Sequence, residues 1–208
     1  MRHLSLRKLV YLSSLNYVLQ SGQPLLLMPL AIAFLSAADS ALWLYWGVVT
    51  SFAFLCDLGL KPSLARAYVF AQEKRPDSLS SAALTRLSRK IYCTLFAFTF
   101  LGAGIYSAAT SYNLISNTHD FSTAAAATLL MCLALAFNVA SMGYKAKLIG
   151  LGQQDTDKLT DMVFNLLRTA AVALAIALTQ NLLWIGLAYL GSSCVLFFFS
   201  RHAANRIQ

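Results

Sequence analysis

Three groups of polar side chains recur at helical spacing in this 208-residue chain. Ser13, Asn16, Gln20 and Gln23 are separated by 3, 4 and 3 residues, and so are Lys158, Asp161, Asn165 and Arg168. Asn138, Ser141 and Lys145 follow at 3 and 4. On an α-helix each set shares one face. Amides, hydroxyls and a guanidinium grouped in this way can bind polar or anionic matter. Metal and hydrolytic chemistry find no such support. His3, His119 and His202 have no second histidine or carboxylate at ligand spacing, and no GxSxG, HExxH or phosphate-loop pattern occurs. Asp155-Thr156-Asp157 lacks the later ligands of a calcium loop and precedes a helix, so it reads as N-terminal capping. The expectation is a protein that is not an enzyme and that carries no cofactor or metal.

The elements that must position these groups follow from composition. The chain is 58% hydrophobic and 12% charged, where soluble domains carry about 25% charged residues. Mean hydropathy is +0.63. A soluble core of this length would need far more polar surface. Abundant Leu, Ala, Phe and Ile exclude disorder, and four scattered cysteines exclude a disulfide scaffold. Cys56, Cys93, Cys132 and Cys194 lie in apolar runs and read as small packing residues. A bilayer-crossing helix needs about 20 mostly apolar residues. Six runs meet that requirement: Leu9–Leu35, Leu42–Leu60, Ile91–Ala109, Thr123–Tyr144, Met162–Gln180 and Leu182–Ser200. The expected fold is all-α, a polytopic membrane protein built as one bundle of six transmembrane helices.

Basic residues orient the bundle. They occur before span 1 (Arg2, Arg7, Lys8), between spans 2 and 3 (Lys61, Arg66, Lys74, Arg75, Arg86, Arg89, Lys90), between spans 4 and 5 (Lys145, Lys147, Lys158) and after span 6 (Arg201, Arg206). The three alternate segments, Ser36–Ala41, Thr110–Ser122 and the turn at Gln180–Asn181, carry none. Both termini are therefore expected in the cytoplasm, as for a multi-pass protein of a bacterial inner membrane. The net charge of +8 is then an orientation signal and gives no reason to expect nucleic acid. Trp43, Trp46, Tyr106, Tyr112 and Trp184 fall at outer span ends, where an aromatic belt is expected. The basic start followed by Ser36-Ala37-Ala38 has the outline of a cleaved secretory signal. Leu9–Leu35 is too long for one and is interrupted by Asn16, Gln20 and Gln23.

Polar groups at membrane depth must find partners or water. Pro24 follows the span 1 stripe and predicts a kink there. Asn16, Gln20, Gln23 and Asn138 could simply bond helix to helix. Arg168 could snorkel toward the cytoplasm or pair with Asp161. A hydrated central cavity accounts for all three stripes together. It makes Arg168, Asn165, Asn138, Asn16, Gln20 and Gln23 the candidate cavity residues.

At the end of span 2 stands Asp57-Leu58-Gly59-Leu60-Lys61-Pro62-Ser63-Leu64-Ala65-Arg66. This resembles a stretch found in polysaccharide flippases of the multidrug/oligosaccharidyl-lipid/polysaccharide exporter superfamily: Asp, Leu or Phe, Gly, an apolar residue and, after a short spacer with a small residue, Arg. The preceding order is also similar: a polar, proline-bearing first helix, a short outer loop, then a Trp-rich start to the second helix. After span 4, Lys147-Leu148-Ile149-Gly150-Leu151-Gly152-Gln153 resembles the family's glycine turn before its fifth helix. The resemblance runs over essentially the whole chain. It implies one six-helix lobe of a two-lobed transporter that moves polyprenyl-diphosphate-linked oligosaccharide between leaflets. The implied partners are membrane lipid, that substrate and a second lobe, which a further stretch of sequence or another chain would supply. It also implies a cytoplasmic gate pair, Asp57 and Arg66, with Gly59 allowing close helix approach; Arg168, the cavity candidate from the stripe spacing and not from a family motif, would suit a diphosphate. Two alternatives stand beside this: a small-solute or drug exporter of the same superfamily, and a non-transporting membrane protein that helps assemble the glycan machinery.

Overall fold

The computed structural model describes residues 6–55, 59–73, 79–116 and 121–206, and within them it is helical apart from turns. The elements are α1 (Leu6–Phe34), α2 (Ala37–Leu55), α3 (Leu60–Gln72), α4 (Ser81–Ser116), α5 (Phe121–Gly150), α6 (Gln154–Thr179) and α7 (Leu182–Asn205). Four stretches are long and apolar enough to cross a membrane: Ser81–Ala108, Phe121–Gly150, Gln154–Thr179 and Leu182–Asn205. Shorter apolar stretches, Val10–Leu19 and Leu25–Phe34, lie within α1. Large apolar side chains such as Phe98, Ile105 and Leu178 (the last 78% exposed) stand on the outside. In water such a surface would be an aggregation hazard, whereas hydrocarbon solvates it. The fold is compatible with a multi-pass helical membrane protein.

The helices differ from the hydropathic spans in a consistent way. Helix α4 begins ten positions before Ile91, α5 continues to Gly150, and α6 starts at Gln154 rather than Met162. Hydropathy marks only the apolar middle of a helix, while the backbone ladder continues through polar turns. Thirty residues at 1.5 Å each give α5 a length of about 45 Å, against about 30 Å of hydrocarbon. The second span is also displaced. Its helix is Ala37–Leu55, and Leu60, expected at its end, instead opens α3.

Helix α3 was not anticipated. Gly59 precedes it in the left-handed region at φ 79°, a conformation that costs glycine little. Pro62 sits in the first turn, where its missing N–H is tolerated. Leu64, Ala65 and Tyr68 then form a buried stripe against α5, leaving Arg66 exposed. Burial pushes the Tyr68 phenol up, keeping it a neutral donor to Thr85 Oγ1 at 3.3 Å. The family resemblance gave Gly59 the role of admitting a close helix, and the structure corrects this. A Cβ on Gly59 would meet nothing within 4 Å, so its task is backbone conformation. Close approach belongs to Gly150, whose Cβ would fall 2.5 Å from Tyr68 Cβ and 2.6 Å from the Ala65 carbonyl.

Turns fix the remaining order. Ser36 Oγ accepts from the Asp39 N–H at 3.1 Å and donates to the Asp39 carboxylate at 2.8 Å, capping α2. Asn181 Oδ1 accepts from Leu183 N–H at 2.8 Å and caps α7. At α6 the expected capping by Asp155, Thr156 and Asp157 is not what forms. The cap position is Gln153, whose side chain makes no cap bond, and both aspartates lie in the first helical turn.

Helix α5 is the centre of the bundle, packed against α2, α3, α4, α6 and α7, while α1 lies on α6. One apolar cluster joins Leu27, Leu42, Trp46, Met131, Ile176 and Ile185 from five helices. A second gathers Leu64, Tyr92, Val139 and Ala146 from α3, α4 and α5. The aromatic belt therefore holds only in part. Trp184 is 54% exposed and Tyr106 is exposed, but Trp43 and Trp46 are 7% and 2% exposed and belong to the core. Trp46 Nε1–H donates to Thr128 Oγ1 at 3.3 Å, satisfying the indole inside the bundle. Tyr112 has its side chain outside the described part of the structure.

Candidate functional site

Four helices converge on Arg168. Its Nη2 donates to Asn138 Oδ1 of α5 at 3.1 Å and, at 3.5 Å, to Ser193 Oγ of α7. Its Nε donates to Ser192 Oγ at 3.1 Å. The spacing of Asn138 and Arg168 on separate stripes is thus realised as direct contact. Below them Asn165 Nδ2 donates to Asn16 Oδ1 at 2.9 Å, tying α6 to α1. Gln23 of α1 and Tyr189 of α7 border the same space. Of the predicted cavity residues, Arg168, Asn165, Asn138 and Gln23 line one cleft of about 250 Å³, together with Trp43, Trp46, Thr50 and Tyr189. Asn16 is buried behind Asn165 rather than in the lining. The side chain of Gln20 lies outside the described part of the structure, and so does that of Pro24; α1 is assigned as one helix through both.

The electrostatics of this cleft follow from who pairs with whom. Asp161, the expected acidic neighbour of Arg168, pairs instead with Lys145 of α5. The hydrogen-bonding partners of Arg168 are an amide and two hydroxyls, all neutral. A guanidinium stays charged under any ordinary condition. These neutral dipoles orient it, while Asp161, in ion contact with Lys145, acts on it only through space. The cleft is therefore a cationic site walled by tryptophan, tyrosine and aliphatic side chains, suited to an anion joined to an apolar or ring-bearing group.

Sequence reasoning missed the contribution of α7. Tyr189, Ser192 and Ser193 stand at i, i+3 and i+4, one helical face. That pattern is readable, but Tyr and Ser are common in apolar helices and mark no charge.

The second ionic group lies where the two family-like stretches meet. Lys61 Nζ of α3 stands 3.7 Å from Asp157 Oδ2 of α6. Asp157 is 1% exposed, and neither carboxylate oxygen has a hydrogen-bond partner among the described residues. Of the expected gate pair, Arg66 is exposed on α3 and Asp57 falls outside the described residues. No protein-family model matches the chain, and neither a curated protein nor a solved structure matches it.

Proposed function

We propose that this chain is one six-helix lobe of a flippase that carries polyprenyl-diphosphate-linked oligosaccharide across a bacterial inner membrane for surface polysaccharide synthesis. One observation carries the reading: Arg168 brings a guanidinium into an interior cleft, held by hydrogen bonds to the neutral side chains of Asn138, Ser192 and Ser193 and walled by aromatic side chains. A diphosphate bonded to a sugar and a lipid tail needs a fork of donors for its oxygens and flat surfaces beside them. Arg168 offers the first; Trp43, Trp46 and Tyr189 offer the second. The motif stretch Asp57–Arg66 and the glycine turn after α5 point to the same family by resemblance.

In this reading α1, α2, α4, α5, α6 and α7 span the bilayer, both termini are cytoplasmic, and a second lobe faces the cleft. Helix α3, with Lys61 and Arg66, lies at the cytoplasmic surface. Asp57 and Arg66 form the gate there. A small-solute exporter would use the same cleft with less need for a diphosphate-binding fork.

The test is Arg168→Ala and Arg168→Lys, each placed at the chromosomal locus so that any partner remains. Surface glycan is then measured against membrane content of the protein. We expect loss of at least tenfold for Arg168→Ala and an intermediate level for Arg168→Lys, which keeps the charge without the fork. Unchanged surface glycan in both strains refutes the proposal and leaves a non-transporting assembly role.

A further inference from the structure

A second concavity, of about 360 Å³, opens between α4, α5 and α7. It is larger than the cleft at Arg168 and shares no residue with it. Its wall is aromatic. Phe96 meets Phe137 edge-on at 5.4 Å, Phe137 meets Phe197 at 5.4 Å, and Phe197 meets Tyr144 at 5.5 Å. At one end three cations converge: Arg89 from α4, Lys147 from α5 and Arg201 from α7. Among the described residues no carboxylate lines it.

Lys147 decides what this place requires. It is 4% exposed, and among the described residues no ion pair or hydrogen bond reaches its ammonium. Lys145, two positions earlier, is matched by Asp161, and Lys61 by Asp157. The aliphatic stem of Lys147 is covered while the ammonium opens into the groove, where a cation without a carboxylate beside it attracts an anion. Arg89 and Arg201 are exposed, free to swing over whatever Lys147 holds. Gly143 keeps the groove floor tight, since a Cβ there would stand 2.6 Å from the Tyr92 ring.

We infer that the groove between α4, α5 and α7 binds one anionic phospholipid, its phosphate held by Lys147, Arg89 and Arg201 and its acyl chain laid along the Phe96–Phe137–Phe197–Tyr144 wall. Phosphate oxygens accept from ammonium and guanidinium donors, and basic pockets between transmembrane helices on the cytoplasmic side recognise lipid headgroups. The continuous aromatic wall beside the cations favours a lipid over free phosphate. The inference needs the membrane placement of the chain but not its transport activity.

Native mass spectrometry of the purified 208-residue chain in micelles tests this, with phosphatidylglycerol, phosphatidylcholine and inorganic phosphate as separate probes. The expected result is one retained phosphatidylglycerol, bound at least tenfold more tightly than phosphatidylcholine. Lys147→Gln and Arg201→Gln each weaken it tenfold or more, while Lys147→Arg and the exposed control Lys90→Gln retain it. Arg201 is exposed, so its variant folds even if Lys147→Gln does not. Equal retention of the two lipids, or undiminished binding in both Gln variants, overturns the inference. Displacement of phosphatidylglycerol by inorganic phosphate at equal concentration also overturns it, in favour of a free-phosphate site.

Discussion

Lys61 Nζ and Asp157 Oδ2 stand 3.7 Å apart, joining the start of α3 to the first turn of α6 across 96 positions of sequence. The carboxylate is buried and takes no hydrogen bond from a described residue, so nearby cations, Lys61 first and then Lys145 and Lys158, and the amino-terminal end of α6 are what hold it. The pair fastens the short surface helix to the bundle where the glycine turn after α5 passes beneath it.

Breaking that pair from one side is the costly change. Lys61→Met takes from a buried carboxylate the nearest of the cations that act on it, Lys145 and Lys158 being the others, and we expect a loss of up to about 3–5 kcal/mol. Lys61→Met with Asp157→Leu should recover most of it, because neither charge then remains to be desolvated. Thermal unfolding of the two variants in one detergent checks this. A double variant no more stable than the single one contradicts the account.

Gly150→Ala tests the α3–α5 contact. The new methyl group must displace Tyr68 Cβ and the Ala65 carbonyl, which are backbone-fixed and cannot swing aside. Overpacking of this kind costs about 1–3 kcal/mol. Gly102→Ala, where a Cβ meets nothing within 4 Å, should leave the melting temperature unchanged or slightly raised. Equal melting temperatures for the two variants would show that α3 is not packed as described.

Asn16 and Asn165 should behave as one unit. Interhelical amide bonds of this kind contribute about 0.6–2 kcal/mol. Asn165→Ala removes the bond, and adding Asn16→Ala removes little more. A double-mutant cycle on thermal stability should give a coupling close to the single-variant loss. Strict additivity means that the two amides do not meet in the membrane.

Orientation is checked with single cysteines in a background where the four native ones are replaced by serine. Ala37→Cys and Ser80→Cys both place a thiol at an exposed position near a helix end. A membrane-impermeant maleimide added to cells with a permeable outer membrane should label the first and spare the second. The reverse pattern, or labelling of both, rules out the proposed topology.

Much of the arrangement was legible because period and composition are local properties. Long apolar runs marked out helices apolar enough to cross a membrane, and polar residues at steps of three and four placed Asn16, Asn138, Asn165 and Arg168 on inward faces. What a stripe faces is not local. The step from Asp161 to Arg168 suggested that they serve each other, yet Lys145 of α5 takes the carboxylate and neutral groups take the guanidinium. The tryptophans of α2 stand where an interfacial belt was expected, but they join a core shared with four other helices. Helix α3 was hidden because thirteen residues with three buried positions look like a basic loop until α5 is there to cover Leu64, Ala65 and Tyr68.

The sequence by itself determined helices long and apolar enough to cross a membrane, the shared face of each polar stripe, and a single cation set apart from the fifteen that fall between or beyond the expected spans. Only the tertiary structure decided partners. It paired Lys145 with Asp161 and Lys61 with Asp157, gave Arg168 neutral hydrogen-bond partners, and left Lys147 beside an aromatic groove with no ion pair among the described residues. The physical reason is that helical periodicity fixes an azimuth about one axis, whereas pairing depends on how separate axes are packed. That packing is set by side-chain volume and by glycines such as Gly150, which do not act along the sequence.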